Sequence, residues 1–193
     1  MRKVRKLLAV ILFFGAMAVV FAAAPSGAAK YFDGIDLVDQ DGHSVDLYRD
    51  VIADHVAVIH TFFTSCTASC PVVMSTLKSL QSQLGAKMGR DVRLISITVD
   101  PAHDSQHALK EYAQRLNAKP GWYFLTGSNE QIAAALKRIG QYTAEPDAHM
   151  DLIVAGNDRT GLWKKINGLA TTTEINSLIM GVVNDQGGAA AAK

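Results

Sequence analysis

Hydrophobic and polar residues follow one another along this chain in blocks that predict three strand-and-helix units. The apolar, β-branched runs at residues 56–63 and 92–99 are typical of buried parallel strands, and residues 121–125 predict a shorter third strand. Each run is followed by a segment with apolar residues at helical spacing, and these segments predict helices at 71–87, 104–116 and 128–139. Ser128 and Gln131 form a capping-box pattern at the start of the third helix.

The segments on either side of these units predict antiparallel pairs of strands. Residues 35–38 and 44–47 form a hairpin around an Asp-Gly turn, and residues 149–154 and 161–166 form a second pair. A helix opened by Thr171 and Glu174 follows through about residue 184, and residues 49–55 are interpreted as a short polar linker. The order hairpin, βα, βα, βα, ββ, α predicts an α/β protein with a thioredoxin-like fold: a central mixed sheet flanked by helices, with an N-terminal β-hairpin.

The first residues of the chain are typical of an export signal or an N-terminal membrane anchor. Four basic residues within positions 2–6 precede an uncharged apolar run at 7–24, and Gly27-Ala28-Ala29 is an acceptable cleavage site. We therefore expect a targeting segment at residues 1–29, a folded domain at 30–186 and a flexible tail at 187–193. Either form of the leader places the domain in the periplasm or on the outer face of the cytoplasmic membrane.

The composition supports this division of the chain. Hydrophobic residues make up 49% of the 193 residues and charged residues 19%, as expected of a folded core. From Lys30 onward 15 basic residues stand against 18 acidic ones, a formal charge of −3. Nothing in that balance indicates a nucleic-acid surface.

Both cysteines of the chain, Cys66 and Cys70, lie where the first buried strand hands over to its helix. Pro71 suits the first helical position, which would make Cys70 the cap, and the positive end of the helix dipole favours thiolates there. A helix-like turn would place the two Cα atoms about 6 Å apart, within reach of a disulfide. The pair could instead hold one soft metal ion, or be a structural disulfide or two inert thiols. Outside the cytoplasm the thiols tend to oxidise, so a reduced pair would need a reductant partner.

Three local motifs, in order, resemble those of one protein family. They are the hairpin at 37–42, the segment 62–71 with cysteines three residues apart after an aromatic strand end, and the Asp-Pro-x-x-Asp turn within 99–104. Asp147-Ala148-His149 then stands where the family keeps a histidine ligand. Over residues 32–183 the chain resembles the Sco/SenC family of thioredoxin-fold proteins associated with copper delivery to cytochrome oxidase. It departs from the pattern at Thr67, where family members commonly have proline.

The resemblance implies a copper metallochaperone in which Cys66, Cys70 and His149 bind copper. Two thiolates and an imidazole suit Cu(I), and Cu(II) with a further ligand. The implied partners are the copper subunit of a respiratory oxidase, whose CuA-type site would be assembled, an upstream copper donor and a thiol reductant. The alternative function is a thiol-disulfide oxidoreductase in which Cys66 and Cys70 act as a redox pair. A thiol peroxidase is disfavoured because no Arg accompanies Thr64 in this stretch.

The other histidines have simpler interpretations. His60 lies inside a predicted buried strand and is expected to be a core histidine with its ring N–H satisfied. His103 and His107, four residues apart, could form a metal pair on a helix but lack a third ligand. His43 and His55 are expected to be exposed to solvent.

Three further residues close to the motifs are assigned structural roles. Met150 could be a weak sulfur ligand, but strand alternation favours core packing. Asp100 and Asp104 are expected to cap the turn and the helix that follow the second buried strand, and Asp100 could in addition tune the thiols.

Overall fold

The computed structural model describes residues 27–187, so most of the predicted leader and the tail from residue 188 lie outside the described part. This part contains seven strands and five α-helices, and all of them except the first helix follow one another in the order predicted. The strands are β1 (Asp36–Val38), β2 (Ser44–Asp46), β3 (Val56–Phe62), β4 (Val92–Thr98), β5 (Trp122–Leu125), β6 (Leu152–Asn157) and β7 (Leu162–Asn167). The helices are α1 (Gly27–Phe32), α2 (Cys70–Leu84), α3 (Gln106–Leu116), α4 (Asn129–Ile139) and α5 (Thr172–Val183).

The main sheet has five strands in the order β5-β4-β3-β6-β7, and β1 pairs with β2 in a separate antiparallel hairpin. Strands β3, β4 and β5 are parallel, whereas β6 runs antiparallel to β3 and β7 antiparallel to β6. The register from Val56↔Val92 to Phe62↔Thr98 brings the carboxyl ends of β3 and β4 to the same edge. The loops that follow these two strands are therefore neighbours, as expected for the working edge of an open α/β sheet.

Two hydrophobic clusters cover the two faces of the sheet. Helices α2, α3 and α5 supply the helical residues of one cluster, and α1 and α4, with the β1–β2 hairpin, supply those of the other. All seven residues of β3 are buried, since this central strand has a cluster on each face. The predicted thioredoxin-like arrangement, a mixed sheet flanked by helices, is confirmed.

The helix starts follow the local signals in the sequence. The Ser128 hydroxyl accepts a hydrogen bond from the Gln131 N–H at 3.2 Å, and Thr171 caps α5 through the Glu174 N–H at 3.2 Å. Both predicted capping patterns are therefore real caps, each satisfying an N–H group that has no partner within its helix.

Two segments differ from the prediction. Residues 49–55 are not a polar linker: Leu47–Ile52 forms a π-helical turn whose residues Val51 and Ile52 are buried. Helix α1 was not predicted, and it contains both the proposed cleavage site and Lys30, the expected first residue of the domain. Within residues 27–187 no helix has the length and apolar character needed to cross a bilayer.

Candidate metal centre

The cysteine pair lies at the strand-to-helix junction that the sequence predicts. Strand β3 ends at Phe62, and α2 begins at Cys70, with Pro71 in its first turn. The prediction that Cys70 is the cap was wrong by one residue, because Ser69 occupies the N-cap position and Cys70 is already helical. The remaining residues of the junction, including Cys66, form an irregular loop at the carboxyl edge of the sheet.

Asp104 fixes the start of this cysteine loop. Its carboxylate, 1% exposed, accepts hydrogen bonds from the Thr64 N–H at 3.1 and 3.2 Å, from the Thr64 hydroxyl at 2.5 Å and from the Thr98 hydroxyl at 2.5 Å. The expectation that Asp104 caps the helix was wrong, since Ser105 caps α3 through the Ala108 N–H. Asp104 instead ties the cysteine loop to the end of β4.

His149 reaches the site from a distant part of the chain. It follows a 3-10 turn at Pro146–Ala148 and precedes β6, which begins at Leu152 rather than at residue 149 as predicted. Its Nδ1 lies 2.8 Å from the Pro146 carbonyl oxygen and donates to it, which leaves Nε2 as the free ring nitrogen. That Nε2 lies 3.7 Å from the Cys70 Sγ. The imidazole also meets the Phe63 ring edge-on, with 5.7 Å between ring centroids, and its side chain is only 4% exposed.

Cys70 is a buried thiol, whereas Cys66 is half-buried between the two hydrophobic clusters. Burial, followed by a hydrogen bond with Cys66, raises the pKa of Cys70 to about 12. The predicted preference for thiolate is therefore wrong for Cys70, because desolvation of a charged sulfur outweighs the helix dipole. A metal ion at this sulfur has to displace the thiol proton.

The three predicted ligands are neighbours but do not yet surround one point. The Cys70 Sγ lies 3.7 Å from the His149 Nε2, and Cys66 is near enough to help raise the pKa of Cys70. Among the described side chains, however, no three His, Cys, Asp or Glu residues are already placed to hold one metal ion. Two sulfurs and one imidazole nitrogen are a donor set that suits Cu(I), so the chemistry of the residues present fits copper.

The structure adds two residues that sequence reasoning missed. The Asp151 carboxylate lies 3.9 Å from the His149 Nε2, and its charge contributes to the raised pKa of Cys70. Burial, followed by the neighbouring Cys70 and Cys66, raises the pKa of Tyr112 to about 12. Asp151 could have been suspected from its position two residues after His149, but no local signal links Tyr112 to the cysteines.

His60 is the core histidine that the sequence predicts. Its Nδ1 lies 3.0 Å from the Thr61 carbonyl oxygen, and the Ser96 hydroxyl lies 2.7 Å from its Nε2. The indole N–H of Trp122 donates to the same Ser96 oxygen at 2.9 Å. Burial lowers the pKa of His60 to about 4, so the ring is neutral at pH 7.

The other candidates do not join the site. His103 pairs with Asp100 at 2.8 Å and His107 with Glu111 at 3.4 Å, both on the surface, so these histidines face carboxylates rather than a shared ion. His43 is exposed as predicted, whereas His55 is half-buried and contacts the Ala53 carbonyl. Core packing of Met150 was a wrong prediction, since the residue is 49% exposed.

A sequence model described as SCO1/SenC matches residues 24–162 of this chain. The chain belongs to the SCO1/SenC family. The SCO1 protein homolog of Bacillus subtilis (strain 168) is 33% identical over 118 residues, which are 60% of this chain and 60% of that protein. A putative copper-binding protein of Stutzerimonas stutzeri is 31% identical over 106 residues, 55% of this chain and 50% of that protein.

The fold of a solved Sco protein agrees with this assignment. BsSco, described as a member of the Sco family of cytochrome c oxidase assembly proteins with a disulfide switch, superposes with a TM-score of 0.63. The two are 27% identical, and the match covers 77% of this chain and 90% of that one. By contrast, this Sco chain spans only about half to three fifths of the length of the curated relatives described above.

Proposed function

We propose that this Sco chain is an exported copper metallochaperone that holds copper through Cys66, Cys70 and His149 and passes it to the copper subunit of a respiratory oxidase. The observation that carries the proposal is the 3.7 Å approach of the His149 Nε2 to the Cys70 Sγ, between residues 79 positions apart in sequence. The fold brings a nitrogen donor to a sulfur donor at the edge of the sheet where the loops after β3 and β4 meet.

The geometry supports a different task for each of the three proposed ligands. The Pro146 carbonyl holds the His149 ring with Nε2 facing the Cys70 sulfur, so this donor would be oriented before the metal arrives. Cys70 is the buried, central donor, in contact with both partners. Cys66 is the more exposed of the two sulfurs, and we expect an incoming or outgoing copper ion to exchange ligands there first.

The relatives support copper as the cargo and an oxidase as the recipient. One curated relative is described as a putative copper-binding protein, and BsSco is described as belonging to the cytochrome c oxidase assembly proteins. An upstream copper donor and a thiol reductant complete the scheme, because the two cysteines must be reduced to bind Cu(I).

Anaerobic titration with Cu(I) against a competing chelator tests the ligand set. We expect the reduced protein to bind one equivalent, the double variant Cys66→Ala, Cys70→Ala to lose this binding, and His149→Ala to weaken it by at least about tenfold, or ~1.4 kcal/mol. His107→Ala is the matched control, since this histidine is exposed and pairs with Glu111, and it should bind as the wild type does. Stoichiometric binding that survives the loss of both cysteines would refute the assignment.

Export is tested by fractionation and N-terminal sequencing of the protein made in its own cells. The basic residues followed by the apolar run at 7–24 support export, and cleavage after Ala29 would leave Lys30 as the first residue. An uncleaved anchor would retain the leader and place the domain in the membrane fraction, accessible to protease from outside. Recovery of the protein in the cytoplasm with an intact leader would contradict the proposal.

The contact between the Cys66 and Cys70 side chains also favours a second function, reduction of a partner's disulfide. The Cys66 thiolate would attack one partner sulfur to form a mixed disulfide, and Cys70 would then attack Cys66. Two electrons pass to the partner, which leaves as a dithiol, while this chain keeps a Cys66–Cys70 disulfide. Full reductase activity in His149→Ala together with unaltered Cu(I) affinity would favour this second function.

A further inference from the structure

An apolar cavity of about 440 Å³ opens on the face formed by α1, the end of α4 and the β6–β7 strand pair. Neither cysteine nor His149 contributes to its lining. Its walls include the side chains of Phe32, Ile139, Val154 and Trp163. The volume lies within the range of about 300 to 1,000 Å³ that is typical of small-molecule sites.

Trp163 lies flat along one wall of this cavity instead of filling it. The residue pairs with Gly156 across β6 and β7, and a Cβ atom at Gly156 would lie 2.1 Å from the indole ring. The Phe32 ring packs against the indole with 5.7 Å between centroids. Because Gly156 has no side chain, the indole can pack directly on the sheet. Trp163 is half-buried there and lines the cavity.

The cavity has a positively charged rim. Arg138, Lys164 and Lys165 line it together with one carboxylate, that of Asp158. Asp158 accepts hydrogen bonds from the Asp54 N–H at 3.0 Å and the Tyr48 hydroxyl at 3.2 Å. Apart from Asp158, no carboxylate among the described side chains lies in ion-pair range of the three cations. An apolar interior below a cationic rim is complementary to an amphiphile with a negative head group.

The surroundings of the cavity favour a lipid as that amphiphile. Tyr31 is 46% exposed and donates a hydrogen bond to the Arg138 carbonyl. The centroid of its ring lies 5.5 Å from the guanidinium carbon of Arg138. Tyrosines with nearby basic residues are typical of protein surfaces at a membrane interface. Gly27, which lines the cavity, is three residues after the apolar run at 7–24, a reach of about 10 Å for an extended chain.

We propose that this cavity seats one acyl chain of an anionic phospholipid, with the head group on Arg138, Lys164 and Lys165. Such a seat would hold the domain against the bilayer through the face that contains α1. It does not depend on copper, because its residues are separate from the cysteines and His149.

Fluorescence quenching of Trp163 in lipid nanodiscs tests the proposal with the full chain. One set of phosphatidylcholine discs contains phosphatidylglycerol brominated on its acyl chains, and a matched set contains unlabelled phosphatidylglycerol with the same fraction of brominated phosphatidylcholine. We expect quenching by brominated phosphatidylglycerol to exceed that by brominated phosphatidylcholine at least twofold. With a disc scaffold that contains no tryptophan, the signal belongs to Trp163, since Trp122 is fully buried, and Trp163→Phe should abolish the quenching.

The double variant Lys164→Gln, Lys165→Gln should lose the preference for the anionic lipid while still binding Cu(I) as the wild type does. This pair of readouts separates failure of the lipid seat from failure of the proposed copper function. Equal quenching by the two brominated lipids would overturn the proposal. The absence of quenching by either lipid would also overturn it, and would indicate that another group, such as the segment before Gly27, fills the cavity.

Discussion

The fold keeps the buried imidazole of His60 neutral, and this has a consequence for acid stability. The pKa of His60 is lowered from 6.5 to about 4 by burial, so between these values the unfolded chain binds a proton that the folded chain does not. The contribution to stability is therefore complete above about pH 6.5 and is lost as the pH falls toward 4.

Urea unfolding at pH 7.5 and pH 4.5 measures this loss for the wild type and for His60→Gln. Because one pKa unit corresponds to about 1.4 kcal/mol, we expect the wild type to lose about 2 to 3 kcal/mol more than the variant between the two pH values. Carboxylates that titrate in both proteins contribute equally to the two losses, so their contribution cancels in the comparison. Equal losses in the two proteins would show that His60 is protonated in the folded state.

Asp100 and Asp104 belong to the same sequence motif, but their environments predict very different effects of substitution. Asp104→Ala removes a buried acceptor from Thr64 and Thr98, and we expect it to cost about 2 to 4 kcal/mol in the free energy of unfolding. Asp100→Ala, whose partner His103 is exposed, should cost well under half of that.

Urea unfolding of the two variants at pH 7 provides the measurement. The same samples can be titrated with Cu(I), where Asp104→Ala should weaken binding more than Asp100→Ala does, because it releases the start of the cysteine loop. A larger loss of stability in Asp100→Ala would contradict the role given to Asp104.

At the scale of elements, the strand pair β6–β7 depends on Gly156. Alanine there would place a Cβ atom against the Trp163 indole, so we expect Gly156→Ala to cost about 1 to 3 kcal/mol and to shift Trp163 toward solvent. Gly181→Ala is the control, since this glycine lies in α5 with nothing within 4 Å of an added Cβ, and it should stabilise the protein by about 0.5 to 1 kcal/mol. Thermal unfolding and the red shift of tryptophan emission check both expectations, and an unchanged emission spectrum in Gly156→Ala would contradict this packing.

Elements with strong local signals were predictable from the sequence. The runs that became β3 and β4 are long, apolar and β-branched, and the caps at Ser128 and Thr171 involve residues only three positions apart. The helical turn Leu47–Ile52 was not predicted, because polar residues interrupt the apolar ones that pack on the sheet. Helix α1 is only six residues long, too short to be stable alone, and depends on its contacts with the rest of the domain.

At the scale of the whole molecule, α1 packs on the folded domain, although the predicted targeting segment, residues 1–29, includes the first three residues of this helix. Phe32 is buried in the cluster formed with α4 and the hairpin, and its ring contacts Trp163. We expect Phe32→Ala to lower the free energy of unfolding by about 3 to 5 kcal/mol. Tyr31→Ala, at the neighbouring exposed position, should have a much smaller effect.

Denaturant unfolding of the full chain in the same lipid discs compares these two variants. A loss of stability in Phe32→Ala no greater than that in Tyr31→Ala would mean that α1 is not docked on the domain.

The sequence by itself determined the order of the strands and helices from β1 to α5 and the position of the cysteine pair at a strand-to-helix junction. These features depend on neighbouring residues, whose periodicity, caps and turns are independent of the rest of the chain. Only the tertiary structure decided that His149 meets Cys70, that Asp104 binds the cysteine loop and that burial keeps the Cys70 thiol protonated. Each of these results comes from contacts between distant segments or from the exclusion of water, which sheet pairing and core packing create and local sequence does not specify.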